Sequence, residues 1–198
     1  MKQPYSLEIY TPTGITKAPV LVGKKILHVG CGNSKLNGAV GLDRLKLAAV
    51  DVVHDLDRTP WPFTEGSFDV IYAHSVVEHV GDIVAFFDES WRILKPGGRM
   101  VIAVPYFRCV DAFTDPTHTH FFTAHSLDYF LNEESGLAGY SYSKHSFNKV
   151  AFWYGWPGQS SNPLVRVFKR FISRHRRFYD QYASLLLPMK ILVWELEK

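Results

Sequence analysis

Apolar positions in the first half of the chain fall into short runs separated by polar turns, and two periods alternate. Lys24–Val29, Ala39–Leu42, Val50–His54, Phe68–Ala73 and Arg99–Val104 are compact apolar or β-branched runs, which predict strands buried on both faces. Between the fourth and fifth, Ile83, Phe86, Phe87, Trp91 and Leu94 recur at helical spacing, and Pro96-Gly97 stops that helix. Strands alternating with helical pattern predict an α/β fold, a doubly wound and mostly parallel sheet.

The second half is less regular. Pro105–His120 reads as a loop dense in polar and aromatic groups. Thr123 is placed to cap a helix over Ala124–Glu133. A sixth strand is expected within Tyr140–Trp153, a helix over Leu164–Leu187, and a seventh strand over Met189–Leu196. Residues 1–23 hold Pro4, Pro12, Gly14 and Pro19 without a period and read as an irregular lead-in. The 198 residues suffice for one domain, 1–198, with 106–135 and 156–187 as insertions.

Composition narrows the class. A net charge of +3 and no recognisable nucleic-acid module argue against nucleic acid as partner. Two cysteines, Cys31 and Cys109, make no disulfide framework and suit a cytoplasmic protein. The N-terminus has no apolar leader core, and the apolar stretch 183–196 is broken by Pro188 and Lys190.

Chemistry concentrates at strand ends. His28-Val29-Gly30-Cys31-Gly32 runs from the first strand into a glycine turn, where bare backbone lets a ligand approach. Lys35 stands where a dinucleotide fingerprint has its third glycine. Asp43 follows Gly32 by 43 − 32 = 11 residues, against about 20 in dinucleotide folds. Both features count against a nicotinamide or nucleotide-sugar enzyme. A carboxylate at this strand end can accept both hydroxyls of a ribose, which makes Asp43 the anchor.

With Ser67–Val80 and Leu94–Ile102, this set resembles the class I, Rossmann-like methyltransferases that use S-adenosyl-L-methionine (SAM), in their small-molecule, type 11-like branch. The resemblance spans about residues 24–105. It implies a seven-stranded sheet of order 3-2-1-4-5-7-6 with strand 7 antiparallel and helices on both faces. It implies SAM as cofactor, held by His28, Gly30, Cys31, Gly32, Asp43, Asp55, Leu56 and His74, with Asp57 an alternative to Asp55 as reader of the adenine. It assigns Glu78 and His79 no catalytic role. The chain departs from the pattern at His28, where the family usually has an acid, and in Asn33–Gly38, a loop where a helix normally starts. A subset of bacterial and archaeal methyltransferases tied to glycan pathways resembles both departures, and also the Asp115-Pro116-Thr117-His118…Phe121-Phe122-Thr123 pattern.

The expected reaction is methylation of a small-molecule or saccharide-type acceptor, with transfer to oxygen favoured. His118 is the candidate base, Asp115 its orienting partner and His120 a further candidate. The competing reading is a loop locked by Asp115 and Pro116, with His118 bonded to backbone. His118-x-His120 with His125, Asp115 or His79 matches no strong zinc spacing, so no metal is expected. Arg166, Lys169, Arg170, Arg174, Arg176 and Arg177 fall between Leu164 and Tyr179 with no acid among them. This basic helix, 164–179, suits an anionic or lipid-linked acceptor, a membrane surface, or a solvated face over the core. In the rival reading the chain is a non-catalytic SAM-fold module that binds a partner or membrane through that helix.

Overall fold

A computed structural model describes residues 23–132, 140, 142–156 and 162–198. The lead-in therefore lies outside the described residues, Gly23 excepted. Seven strands form one sheet: β1 (Ile26–Val29), β2 (Val40–Asp43), β3 (Val52–Val53), β4 (Phe68–His74), β5 (Leu94–Pro105), β6 (Asn148–Tyr154) and β7 (Ile191–Glu197), in the order β3-β2-β1-β4-β5-β7-β6. The first five are parallel, and β7 runs antiparallel to both neighbours. This is the order and the reversed strand that the motifs imply.

Alternation along the strands builds two cores. Leu27, Val29, Ile71, Ala73, Ile102 and Val104 face one side, where α1 (Ile83–Ile93) packs Phe86, Phe87 and Ile93. Asp82 caps α1 by accepting the Ala85 amide at 2.9 Å. Ile26, Val70, Tyr72, Val101 and Ala103 face the other side, where Leu36 and Trp156 close over them from loops. Residues 33–38 form turns, as expected, so Leu36 provides cover here where a helix would in the usual pattern.

Strand β5 starts earlier than the apolar run predicts. Leu94 pairs with Phe68 and Arg99 with Val70, and residues 95–98 form the irregularity between them. Gly97 turns at φ +71° and its amide donates to the Lys198 carbonyl at 3.1 Å.

Two expected helices differ. Over Ala124–Glu133 the described residues hold turns and one 3-10 turn, Asp128–Phe130. Side chains there take the bonds a helix would use: Ser126 Oγ accepts the Thr123 amide and Thr123 Oγ1 accepts the His125 amide. Leu164–Leu187 breaks into α3 (Pro163–Arg174), a kink at His175, α4 (Arg176–Phe178) and a π turn over Tyr179–Ala183. The π turn carries Asp180, whose carboxylate receives the hydroxyls of Tyr106 (2.7 Å) and Tyr154 (2.5 Å) and the Ala124 amide (3.1 Å). These three distant donors fix the chain more strongly than helical periodicity does.

Pro105 pairs with Ile191, and Tyr154 with Leu192, so the β5–β6 and β6–β7 connections both leave the carboxyl edge of the parallel strands. Ligands of open α/β sheets bind along this edge.

Candidate active site

A cavity of about 280 Å³ opens at the carboxyl ends of β1–β4. Gly30 forms part of its wall at φ +60°, and a Cβ there would lie 2.4 Å from Val76 Cγ2. Conformation and contact both demand glycine at that point. Gly32 is also left-handed, φ +49°, but has open space beside it. Its amide donates to Asp43 Oδ2 at 2.9 Å, while Asp43 Oδ1 accepts the Leu45 amide at 2.9 Å. Asp43 thus ties the glycine turn to the end of β2 and still faces the cavity with its remaining lone pairs.

Asp55, Leu56 and Asp57 form the wall beyond β3. Asp57 Oδ1 accepts the amide of Gly81 at 2.7 Å and that of Asp82 at 3.4 Å, which holds the entry to α1. Among the described residues the Asp55 carboxylate accepts only the Asp57 amide, at 3.2 Å, beside Arg58 at 3.9 Å. Of the two, Asp55 keeps more capacity to meet a ligand. Ser75 completes the wall with φ 50°, a strained non-glycine position at the end of β4.

Four of the expected cofactor residues, Gly30, Asp43, Asp55 and Leu56, line this cavity. Gly32 and Cys31 lie in the turn behind it; Cys31 is buried and its thiol is pushed up by burial and then by Asp43. His28 and His74 are not on the cavity wall. His28 is buried, edge-on to Tyr72, and its Nδ1 accepts the Leu36 amide at 3.1 Å. It braces the loop that replaces a helix. His74 stacks parallel to Tyr72 and tilts against Trp156. Burial lowers both imidazoles to about 4, so they are neutral in the fold.

On the opposite wall lie His79, Asp115 and Thr117. Asp115 does not orient His118. Its Oδ1 accepts the Thr117 amide (2.8 Å) and hydroxyl (2.7 Å), and these bonds hold its carboxyl below the usual range. His118 Nδ1 meets the Ala112 carbonyl at 2.8 Å, and its Nε2 lies 4.0 Å from Glu78 Oε1. His120 Nε2 donates to the Val80 carbonyl at 2.9 Å. Thr119 stitches the same segment down through its amide to the Glu78 carbonyl and its hydroxyl to the Val80 carbonyl. The 115–120 loop is therefore locked to residues 78–80, with one histidine facing a carboxylate.

That carboxylate is the residue the sequence did not single out for chemistry. Glu78 is 1% exposed, and neither of its oxygens has a partner among the described side chains. Burial raises its carboxyl to about 7, opposed by its own backbone amide and by His118. The signal was present as an acid inside the β-branched run Val76-Val77-Glu78-His79-Val80. His79 sits edge-on to His118, with ring centres 4.6 Å apart.

Residues 27–102 match the family model for a methyltransferase domain. Cycloartenol-C-24-methyltransferase of Arabidopsis thaliana is 33% identical over 98 residues, which cover 38% of this chain and 29% of that protein. Ubiquinone biosynthesis O-methyltransferase of Xylella fastidiosa is 28% identical over 115 residues, 45% of each chain. The chain spans less than half the length of the curated relatives it matches. Among solved structures, a SAM-dependent methyltransferase from Archaeoglobus fulgidus aligns with a TM-score of 0.58 and 15% identity, covering 88% of this chain and 86% of that one. The fold is that of the class I, Rossmann-like methyltransferases, and SAM is the cofactor this family implies.

Proposed function

We propose that this chain transfers the methyl group of SAM to a small-molecule or saccharide-type acceptor, with oxygen as the favoured atom. The observation that supports it best is the cavity at the carboxyl ends of β1–β4, with bare backbone at Gly30 and carboxylates at the ends of β2 and β3. A nucleoside needs those groups: Asp43 for its ribose hydroxyls, Asp55 and Leu56 for its adenine. The sulfonium then points toward His79, Asp115 and Thr117.

Methyl transfer is a direct displacement, so positioning contributes most, and an acceptor hydroxyl must also lose its proton. His118 is the group on the 115–120 loop that we assign to this activation, with Asp115 holding the loop and His120 pinning it to Val80. His118→Gln is expected to lower turnover about 10²–10⁴-fold with SAM affinity nearly unchanged. Calorimetry with SAM and with its demethylated product is the first test. A chain that binds neither is the non-catalytic module, and the methyl-transfer reading fails.

The acceptor's surroundings follow from α3. Among its described residues only Ile172 is buried, whereas Leu164, Val167 and Phe171 are 77%, 66% and 52% exposed. Arg166, Arg170 and Arg174 are exposed on the same helix, spaced four apart. One side of α3 packs on the core through Ile172 and Phe168, while the other is apolar, exposed among the described residues and flanked by cations, which fits an anionic lipid surface. No described helix is long and apolar enough to cross a membrane. An anionic, lipid-linked acceptor in a reducing compartment, where buried Cys31 and Cys109 stay free, accords with both observations. Co-sedimentation with phosphatidylserine vesicles, lost in a Val167→Asp, Phe171→Asp variant, tests this part separately.

A further inference from the structure

We infer that Glu78, His79 and His118 form a binding site for one divalent transition-metal ion of the zinc type. One ligand atom from each of the three lies within 4.8 Å of the other two. The hydrogen bonds around them decide which ring atoms are free. A carbonyl can only accept, so His118 Nδ1 must donate to the Ala112 carbonyl, and neutral His118 carries its lone pair on Nε2. The Thr117 hydroxyl donates to Asp115, so toward His79 it accepts, and His79 Nδ1 donates to it at 2.9 Å. His79 is then left with a lone pair on Nε2. His118 Nε2 faces Glu78 Oε1 at 4.0 Å, beyond hydrogen-bond reach.

Ring nitrogens with free lone pairs thus face a carboxyl with 1% exposure, and neither of its oxygens has a hydrogen-bond partner among the described residues. Buried polar atoms normally have partners, and an orphan pair calls for an explanation. A cation supplies one. Two imidazoles and a carboxylate suit Zn²⁺, Fe²⁺ or Co²⁺ better than Mg²⁺. Donors around such an ion stand roughly 3.0–3.4 Å apart, given bonds of about 2.0–2.1 Å, so the widest separation, up to 4.8 Å, has to close by about 1.5 Å. Outer partners already fix both rings, Ala112 for His118 and the Thr117–Asp115 pair for His79, as metal-bound histidines require. His79, Asp115 and Thr117 line the cavity, which gives the ion an entrance and an open coordination position on the cofactor side.

The site deepens the proposed function, on which its role rests. His118 then activates the acceptor as a ligand, not as a free base. The acceptor hydroxyl takes the open position, and coordination lowers its pKa so that its proton passes to solvent. Its oxygen lone pair forms the new O–C bond while the S–C bond of the sulfonium breaks, leaving the neutral thioether. The site also explains why the spacing of His118-x-His120 gives no zinc signature: the second histidine and the acid come from residues 78–79, nearly 40 positions earlier.

The test uses the full chain stripped with a chelator, with Zn²⁺ as probe and calorimetry and elemental analysis as readouts. Native protein is expected to bind one equivalent. Glu78→Gln and His79→Gln are expected to lose at least about 10-fold in affinity. Co²⁺ in place of Zn²⁺ should give visible bands that vanish in both variants. His79 is half-buried on the cavity wall, so that variant keeps the test alive if Glu78→Gln fails to fold. His125→Gln, whose ring is held by Asp128, should bind as the native chain does. Sub-stoichiometric binding by native protein, or native affinity in His79→Gln, overturns the site. Turnover that survives chelation while His118→Gln abolishes it overturns the ion's role and leaves methyl transfer standing. Failure to bind SAM sinks methyl transfer instead, and the zinc stoichiometry still decides the site.

Discussion

The two sides of the cavity are built in opposite ways. On the cofactor side, at β1–β3, the groups that matter are backbone or sit within two residues of it: the Gly30 turn, the Asp43 carboxylate bonded to the Gly32 and Leu45 amides, and Asp55 at the end of a strand. On the acceptor side, side chains from separate segments meet: Glu78 and His79 from the turn after β4, Asp115 to His120 from the loop after β5. The first side is set by local geometry and strand register. The second depends on loops held in place by long-range bonds. Changes on the first side should therefore remove cofactor binding outright, whereas changes on the second should spare it.

The largest expected effect is at Gly30. Gly30→Val places a branched Cβ where one carbon already comes within 2.4 Å of Val76, at a left-handed φ. Titration should show no SAM binding. Affinity within twofold of native would dissolve the contrast, because the cofactor would then rest elsewhere. Asp43→Ala comes next. It removes two charge-assisted bonds to the ribose, each worth about 1.5–3 kcal/mol, so SAM should bind at least about 10²-fold more weakly by calorimetry in a folded protein.

On the other side, Asp180→Ala takes one acceptor away from two buried hydroxyls and an amide. At about 1–3 kcal/mol for each of three buried donors left unpaired, and about 2–4 °C per kcal/mol in a chain of this size, melting should fall by at least about 6 °C. SAM affinity should hold once the variant is folded; a parallel loss of affinity would show that the two sides are not separable.

The smallest effect is a pH dependence that sharpens the contrast from within the cofactor side. His28 and His74, near 4 in the fold, bind protons in the unfolded chain from about 6.5 downward. The unfolded state is thus favoured as pH falls across that window, and the stability they contribute at neutral pH is lost toward pH 4. Glu78 opposes this to some extent, since its raised carboxyl binds a proton in the fold first. A His28→Asn variant should show a shallower decline of melting temperature between pH 6.5 and 4 than native protein. Equal slopes would mean that His28 does not hold its proton-free state.

What could be read from the sequence follows the same division. Strands β1, β2, β4 and β5 were visible because apolar periodicity is a local property, and their ends moved by only a few residues. The placement of the glycine turn and of Asp43 at the cavity was legible because a turn at a strand end needs particular residue types at fixed spacing. The replacement of the expected helix by turns over 124–132 was not, because Thr123, Ser126 and Asp128 offer local bonds that compete with helix. Nor was the break in 164–187, which is imposed by Tyr106, Tyr154 and Ala124, 74, 26 and 56 residues from Asp180. The Glu78–His118 approach was invisible for the same reason: no spacing rule links positions 40 apart. The family resemblance implies a cofactor contact at His28, and no local signal in the sequence shows its packing against Tyr72 or its bond from the Leu36 amide.

A single carboxylate ties together the chain just beyond β5, the end of β6, the acceptor-side loop and the π turn. Tyr106, Tyr154, Ala124 and Asp180 itself cannot separate singly, since each departure leaves the others' charged acceptor under-bonded. Release of this edge becomes a single cooperative event in place of a series of loop fluctuations. In hydrogen-exchange terms, the Ala124 amide should exchange at the rate at which the whole edge opens. The rate at which acceptor enters or product leaves by this edge would then have a ceiling set by that same opening.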